Sequence, residues 1–367
     1  MGFFNFLKVN KYIKQYSLNS IIIFSEGNVY NTTNKPVIDE LVKEVAVLYI
    51  TIDKDDELLS YNHEKFHSVY LEFDFWGQFL MATLKGRLLI TTTPSLNILA
   101  LKKSPNIQHY SCFMHAPVDI HYYQKNSFDF FDSIVCAGEY QVETLKKLEE
   151  KRGTPVKEKI VLGVPYLDKY YNEYQNNNSI QEHFVLISPS WGANNFLNKI
   201  NYDVFKIVFS YGYNIIFRPH PMSLKYEKEL IDKILAMYGN GFNGLKFIFD
   251  NAPSGIESMK KSEFMISATS GVIIDYILIA EKQVIIMNEG QHDISNLEKP
   301  DINTTPWEDK LVNDTCAVIN SKEEFDVFLK TYSQNNSKLN ILQYKNNISN
   351  LGDASKKIAS YYINKFN

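Results

Sequence analysis

Short continuous apolar runs, separated by longer amphipathic segments, recur almost throughout the chain. The first series comprises Ile21-Ile22-Ile23-Phe24, Val45-Ala46-Val47-Leu48-Tyr49-Ile50, Leu88-Leu89-Ile90, residues 110–113 and Ile134-Val135-Cys136-Ala137. A strand with one wet face alternates apolar and polar residues, whereas an unbroken β-branched run is buried on both faces. Runs of this kind between helical patterns predict parallel strands covered by helices on either side. The first run is followed by a loop and a predicted helix over residues 35–44. The Asn-rich stretch "YYNEYQNNNSIQEH", residues 170–183, breaks the rhythm and reads as a linker. A second series follows, with Phe184–Ser188, residues 215–217, Phe247–Phe249, residues 264–267 and Val284–Met287. Ala354–Phe366 is amphipathic and predicts a terminal helix. The expected architecture is α/β, with two doubly wound parallel-sheet domains facing a cleft. They span residues 1–176 and 177–345, and residues 346–367 return as a helix onto the first domain.

Composition narrows the function classes. A chain of 367 residues, 45% hydrophobic, is long enough for two cores. Its net charge of -4 argues against a general nucleic-acid binder. Lys8, Lys11 and Lys14 interrupt the apolar residues at the N-terminus, so no signal peptide is read there. No apolar run approaches the roughly 20 residues that span a bilayer. Cys112, Cys136 and Cys316 are scattered, without CxxC spacing, which fits a reducing, cytoplasmic location and suggests no zinc site. No cofactor and no essential metal are expected.

Chemistry is expected at the carboxyl ends of the strands, where open α/β sheets bind ligands. The stretch "NIIFRPHPMS" ends an apolar run at Arg218 and holds His220 between Pro219 and Pro221. Proline fixes its own φ and restricts the residue before it, so His220 is aimed rather than free. In "MISATSGVIIDY" a strand passes through Ala268-Thr269-Ser270-Gly271 into a helix that Thr269 or Ser270 would cap. Such a turn presents unbonded N–H groups to a phosphate, although every helix needs an ordinary start. "LISPSWGANN" places Ser188, Ser190, Trp191 and Gly192 after the first strand of the second domain, as a nucleotide contact or as a plain loop with a packed Trp. "YSCFMHAPVDIHYY" ends a strand in His115 beside Pro117, with Asp119 and the rival His121 close behind. "FSEGNVYNTTNKP" places Glu26 and Gly27 after the first strand, without the glycines of a dinucleotide loop. Asp53-x-Asp55 reads as a solvated acidic loop. The N-terminal "MGFFNFLKVNKYIKQY", residues 1–16, has two readings: a helix resting on a membrane surface, or one packing on its own domain.

The order of "FSEGNVY", His115, Arg218-Pro219-His220-Pro221 and "ISATSGVIIDY" through "VIIM" resembles the CDP-glycerol glycerophosphotransferases of teichoic-acid and capsule synthesis. The resemblance covers roughly residues 21–287. It implies a GT-B fold, with a CDP-linked donor on the second domain and a glycan or lipid-linked glycan acceptor on the first. By the same resemblance, His220 and the turn Thr269, Ser270 and Gly271 hold the donor's phosphates, and Ser190, Trp191, Gly192, Arg218 and Asp275 are counted with them as donor-binding residues. His115 is the general base, His220 shares the catalytic work, and Glu26, Gly27 and Asp119 lie on the acceptor side. The enzyme would release CMP and work at the inner face of the membrane. Two departures stand out. Ala268-Thr269-Ser270-Gly271 replaces the family's Asp-Tyr-Ser-Ser, and Ala116-Pro117 follows His115 where the family has Gly. GT-B sialyltransferases and Kdo transferases, which use CMP-sugars, also pair an HP motif with a Ser/Thr turn. Transfer from a CMP-sugar is therefore the alternative. A non-catalytic GT-B-like subunit and a GT-B-type epimerase are further readings.

Overall fold

The apolar runs form the centres of two wholly parallel sheets. In the computed structural model, residues 3–98, 101–175, 183–268, 270–288, 302–332 and 341–367 are described. The first sheet contains β1 (Ser20–Ser25), β2 (Ala46–Thr51), β3 (Phe66–Tyr70), β4 (Gly86–Thr91), β5 (Ile107–Phe113), β6 (Ser133–Cys136) and β7 (Glu158–Val161). The second contains β8 (Phe184–Ser188), β9 (Asn214–Phe217), β10 (Phe247–Phe249), β11 (Ser262–Ser267), β12 (Val284–Met287) and β13 (Cys316–Ile319). Around the first lie α1 (Phe3–Tyr16), α2 (Asn31–Leu41), α3 (Phe75–Thr83), α4 (Glu139–Arg152) and α5 (Pro165–Gln175). Then follow α6 (Val204–Ser210), α7 (Pro221–Tyr226), α8 (Lys228–Tyr238), α9 (Ile256–Lys261) and α10 (Val272–Asp275). The last four are α11 (Trp307–Thr315), α12 (Lys322–Tyr332), α13 (Leu342–Lys345) and α14 (Ala354–Phe366).

The sheet orders are β3-β2-β1-β4-β5-β6-β7 and β10-β9-β8-β11-β12-β13. Each chain path starts in the middle of its sheet, runs to one edge, then crosses back and runs to the other. The reversal opens a crevice at the carboxyl ends between β1 and β4, and another between β8 and β11.

The chain divides into two compact units. One is Met1–Lys169 with Lys299–Trp307 and Asn346–Asn367; the other is Tyr170–Glu298 with Glu308–Lys345. The division falls inside α5, whereas the Asn-rich stretch drew the expected boundary to residue 176. Residues 176–182, the core of that stretch, lie outside the described residues.

In the first unit, alternate strand residues feed two layers. Ile22, Phe24, Leu48, Leu89, Cys112 and Ile134 join Phe6, Val9 and Ile13 of α1 and Leu80 and Met81 of α3. Ile21, Ile23, Val47, Tyr49, Ile90 and Phe113 meet Val37, Ile38 and Leu41 of α2 and Ile358, Tyr362 and Phe366 of α14. In the second unit, Val185, Ile187, Ile215, Phe217, Phe264 and Ile266 pack on Phe205, Val208 and Phe209 of α6.

Three strands have no counterpart in the apolar runs: β3, β7 and β13. All are edge strands, and their residues are mostly half-exposed. An edge strand with one open flank needs no continuous apolar run, so this signal does not reach it. The predicted helix over 35–44 begins earlier, at Asn31, and carries Pro36 in its interior.

Candidate functional site

In the first unit the loops after β1, β4 and β5 carry the candidate residues. His115 lies two residues beyond β5, half-buried. Its Nδ1 is 3.0 Å from the Thr92 carbonyl oxygen, which follows β4. A carbonyl only accepts, so Nδ1 carries the proton and donates; in the neutral ring Nε2 is then left with its lone pair. Tyr30 and Tyr123 stand edge-on to the imidazole, with centroids at 5.4 and 6.1 Å. Burial holds its pKa below the ordinary histidine value, partly opposed by the Thr92 bond. The ring is thus neutral near pH 7 and can receive a proton at Nε2.

Glu26 follows β1 as an exposed residue, and the desolvation of its carboxyl by the surrounding protein raises its pKa above the usual carboxylate value. Gly27 has φ 122, and a Cβ there would collide with the Asp53 side chain. Glycine is therefore required by the turn against Asp53, and a ligand need not be invoked for it. Asp53 accepts from the backbone N–H groups of Asp55 (3.0 Å) and Asn28 (3.3 Å), an ordinary Asx arrangement.

Asp119 lies four residues beyond His115 in the same loop. Its carboxylate accepts from Ile120 N (2.7 Å) and Trp307 N (3.2 Å) and lies 3.3 Å from His121 Nδ1. His121 is buried, and its Nε2 meets Thr304 Oγ1 at 2.7 Å. These contacts tie the loop after β5 to residues 304–307. The described anchor of His115 is Thr92.

In the second unit, His220 follows β9 and caps α7. Its Nδ1 accepts from the Met222 N–H at 3.1 Å. A backbone N–H only donates, so Nδ1 is unprotonated, the proton sits on Nε2, and the ring is neutral. Burial lowers its pKa, with Glu227 pulling the other way. The two histidines are thus held in opposite tautomers: His115 offers a lone pair at Nε2, and His220 offers an N–H.

Trp191 stands over His220 (6.1 Å between centroids, 23° between planes) and over Tyr226 (6.3 Å, 28°). It is 43% exposed, so the platform reaches solvent. Glu227, which the sequence reading missed, fixes this arrangement. Its Oε1 accepts from Gly192 N (3.1 Å) and Asn198 Nδ2 (3.0 Å). Its Oε2 accepts from Asn195 Nδ2 (3.1 Å) and Ser223 Oγ (2.5 Å). One carboxylate joins the loop after β8 to the helix that His220 caps. No local motif announces it, because its partners come from another loop. Gly192 has φ 62 with open space at its Cβ position, so its backbone alone explains the glycine. Ser190 is buried at the base of the loop.

Arg218 donates from Nη1 to Asp250 Oδ2 at 2.8 Å, and Asp250 also accepts from Ser258 Oγ. Its guanidinium is therefore held toward the end of β10. Gly255 leaves room for it, since a Cβ there would lie 3.0 Å from Arg218 Nε. Asp275 and Arg218 both act on the Tyr170 hydroxyl, whose pKa is raised by burial first and then by Asp275.

The turn after β11 differs from the expected cap. Thr269 lies outside the described residues. The N-cap is Gly271, already in helical geometry at φ -59 and ψ -27, and it makes no side-chain cap bond. Because the turn is helical one residue early, Ser270 enters through its carbonyl, which accepts from Ile273 N at 3.2 Å. A Cβ at Gly271 would meet nothing within 4 Å. From Tyr276 to Ala280 the helix continues as a π-helix, a form frequent at functional sites. Ser188 and Ser267 are register partners, so the loops after β8 and β11 leave the sheet side by side at the crevice.

Among the described residues no cluster of His, Cys, Asp and Glu has the makings of a metal site, and no helix is long and apolar enough to cross a membrane.

No protein-family profile matches the sequence, and no curated protein matches it. Solved structures do. The chain is similar to the wall teichoic acid polymerase TagF, at 15% identity and a TM-score of 0.60, over 99% of this chain and 96% of that one. A histidine-to-asparagine form of that polymerase, soaked with CDPG, gives 16% identity and 0.58 over 99% and 96%. The UDP-GlcNAc 2-epimerase of Methanocaldococcus jannaschii gives 14% and 0.61 over 94% and 99%. Identity at this level speaks for the fold: the chain consists of two parallel-sheet α/β units of the GT-B-like kind.

Proposed function

We propose that the protein is a transferase that moves a polyol phosphate, of the glycerol phosphate type, from a CDP-linked donor to a hydroxyl of a cell-surface glycan or glycolipid. The opposite tautomers of His115 and His220 carry this reading. A phosphoryl transfer to a hydroxyl needs a lone pair to take the proton and N–H groups to meet phosphate charge. In this reading the acceptor oxygen forms a bond to the β-phosphorus. The bond from that phosphorus to the bridging oxygen breaks, and CMP leaves with the electron pair. Nε2 of His115 takes the hydroxyl proton, a role worth about 100- to 10,000-fold in typical enzymes. The Nε2–H of His220 and the uncapped turn at Ser270–Gly271 meet phosphate oxygens, an electrostatic contribution that is usually large. Trp191, Ser190 and Gly192 hold the nucleoside side, with Arg218 and Asp275 flanking, and Glu26 lies on the acceptor side. The CDPG-soaked polymerase with this fold supports the choice of donor.

The epimerase likeness favours a second reading, in which the same platform holds a UDP-sugar. A thermal-shift series with CMP, CDP, UDP and GDP separates the two. The first reading expects stabilisation by cytidine nucleotides, lost in His220→Ala. A uridine preference would overturn it in favour of the epimerase-like reading. Given a cytidine preference, comparing release of CMP from CDP-glycerol and from CMP-sugars distinguishes polyol phosphate transfer from sugar transfer.

A further inference from the structure

Phe24, Thr91 and Cys112 are register partners across β1, β4 and β5, so the loops after these strands leave the first sheet side by side. Two of these loops are pinned by short local bonds. After β1, Gly27 N donates to Ser25 Oγ at 3.1 Å and Tyr30 N donates to the Gly27 carbonyl at 3.0 Å, which carries Glu26 and Tyr30 on one tight turn. After β4, Thr91 Oγ1 accepts from Thr93 N at 3.0 Å and donates to the Thr93 carbonyl at 3.3 Å. Between these two threonines, the Thr92 carbonyl holds His115.

The fixed loops gather polar side chains beside His115. The Tyr30 ring stands edge-on to the imidazole at 5.4 Å. Its hydroxyl has Glu26 and Thr93 as neighbours: burial raises its pKa first, the Glu26 carboxylate raises it further, and a hydrogen bond with the Thr93 hydroxyl draws it back. Tyr30 is therefore a neutral phenol, which donates one hydrogen bond and accepts others. A carboxylate only accepts, and that of Glu26 has no hydrogen-bond partner among the described residues. Thr92 is 1% exposed, and its hydroxyl also lacks a partner among the described residues. Hydrogen-bonding capacity that the fold leaves unused beside a base is capacity for a polar ligand.

A mono-alcohol would engage Nε2 of His115 and leave the Glu26 carboxylate unused. An acceptor with a second hydroxyl on the next carbon serves the whole group. Its reacting hydroxyl donates to Nε2 of His115 and accepts from Tyr30, and its neighbouring hydroxyl donates to Glu26. We infer that this crevice is a subsite for acceptors with neighbouring hydroxyls, in which Tyr30 and Glu26 determine specificity and Thr93 positions Tyr30. The inference rests on the transfer reading proposed above and names the acceptor class for it.

CMP release from CDP-glycerol by the full chain tests it, with glycerol, methyl α-glucoside and propan-1-ol titrated as acceptors. The better of the first two, which tells a polyol end from a sugar diol, should exceed propan-1-ol in kcat/KM by roughly tenfold or more. Tyr30→Phe keeps the ring against His115 and removes only the hydroxyl. It should raise the KM of the better acceptor about tenfold while the donor KM is kept. Glu26→Gln should remove most of the margin over propan-1-ol, and Thr93→Val should act as Tyr30→Phe does, more weakly. A purely structural role would instead lower kcat with all three acceptors alike. CMP release that does not distinguish propan-1-ol from the other two, or a Tyr30→Phe variant with the wild-type acceptor KM, would overturn the inference while leaving the transfer reading in place. No CMP release with any acceptor would overturn both.

Discussion

In both histidines Nδ1 makes the described hydrogen bond, so the Nε2 proton is absent in His115 and present in His220. The flanking prolines made each position legible in the sequence. The tautomers were not, because they depend on partners brought by the fold: the Thr92 carbonyl from the end of β4 and the Met222 N–H of α7. His115→Ala should lower transfer by about 100-fold or more while donor affinity is kept. Burial lowers the His115 pKa, so the wild-type rate should fall on the acid side only below the usual value of about 6.5. The variant should lose that limb. Normal transfer, or loss of donor binding alone, would move the base elsewhere, with Glu26 next in line. Glu227 offers a second test. Glu227→Gln puts an amide where two oxygens accept four donors, and an unsatisfied partner costs about 1–3 kcal/mol. Donor KM should rise roughly tenfold while kcat changes little. A nucleotide affinity equal to wild type would show that the Trp191 loop holds its position without this carboxylate.

The central strands could be read from sequence because burial on both faces forces them to be apolar. Three of the four edge strands could not, since β3, β7 and β13 are half-wet and carry residues such as His67, Glu158 and Thr315–Cys316 at or beside them; the fourth, β10, was readable from its aromatic run Phe247–Phe249. Helix α14 was readable as a helix from its amphipathic pattern, but its anchoring was not. Its own N-cap, Asp353, makes no side-chain cap bond. Asp168 of α5 does that work from far away in sequence. It accepts from the N–H groups of Gly352 (3.1 Å), Ala354 (3.0 Å) and Ser355 (2.7 Å) and from Ser355 Oγ (2.6 Å). Behind this cap, Ile358, Ala359, Tyr362, Ile363 and Phe366 fill the layer over β1, β2 and β5. Asp168→Ala should destabilise the first unit by roughly 2–3 kcal/mol, combining a lost cap with buried unsatisfied donors. Chemical denaturation followed by circular dichroism reads this directly. A loss below the cost of an ordinary exposed cap would mean that the apolar face of α14 holds the helix start unaided.

Across the molecule, four histidines share one electrostatic condition. His67, His109, His115 and His220 all have pKa values lowered by burial. In the unfolded chain each takes up a proton near pH 6.5, whereas in the folded chain it stays neutral to lower pH. As pH falls through about 6.5 the unfolded state therefore binds more protons, and stability drops until the folded pKa values are reached. Asp168 and Glu26 act with the opposite sign, since burial raises their folded pKa values. Glu158 and Asp250, whose pKa values are lowered, withdraw stability only at still lower pH. Between about pH 7.5 and about pH 5.5 the histidines should prevail, so calorimetry should show a falling melting temperature. Three of the four belong to Met1–Lys169 and one to Tyr170–Glu298. The acid sensitivity should therefore be larger in the first unit. Hydrogen exchange at both pH values should show protection lost first in β1–β6 and later in β8–β11. The variant His109→Gln, which cannot take up the proton, should flatten part of the slope. A melting temperature that holds constant or rises on acidification would mean that the buried carboxylates outweigh the histidines, and the neutral His115 required of a base would lose its support.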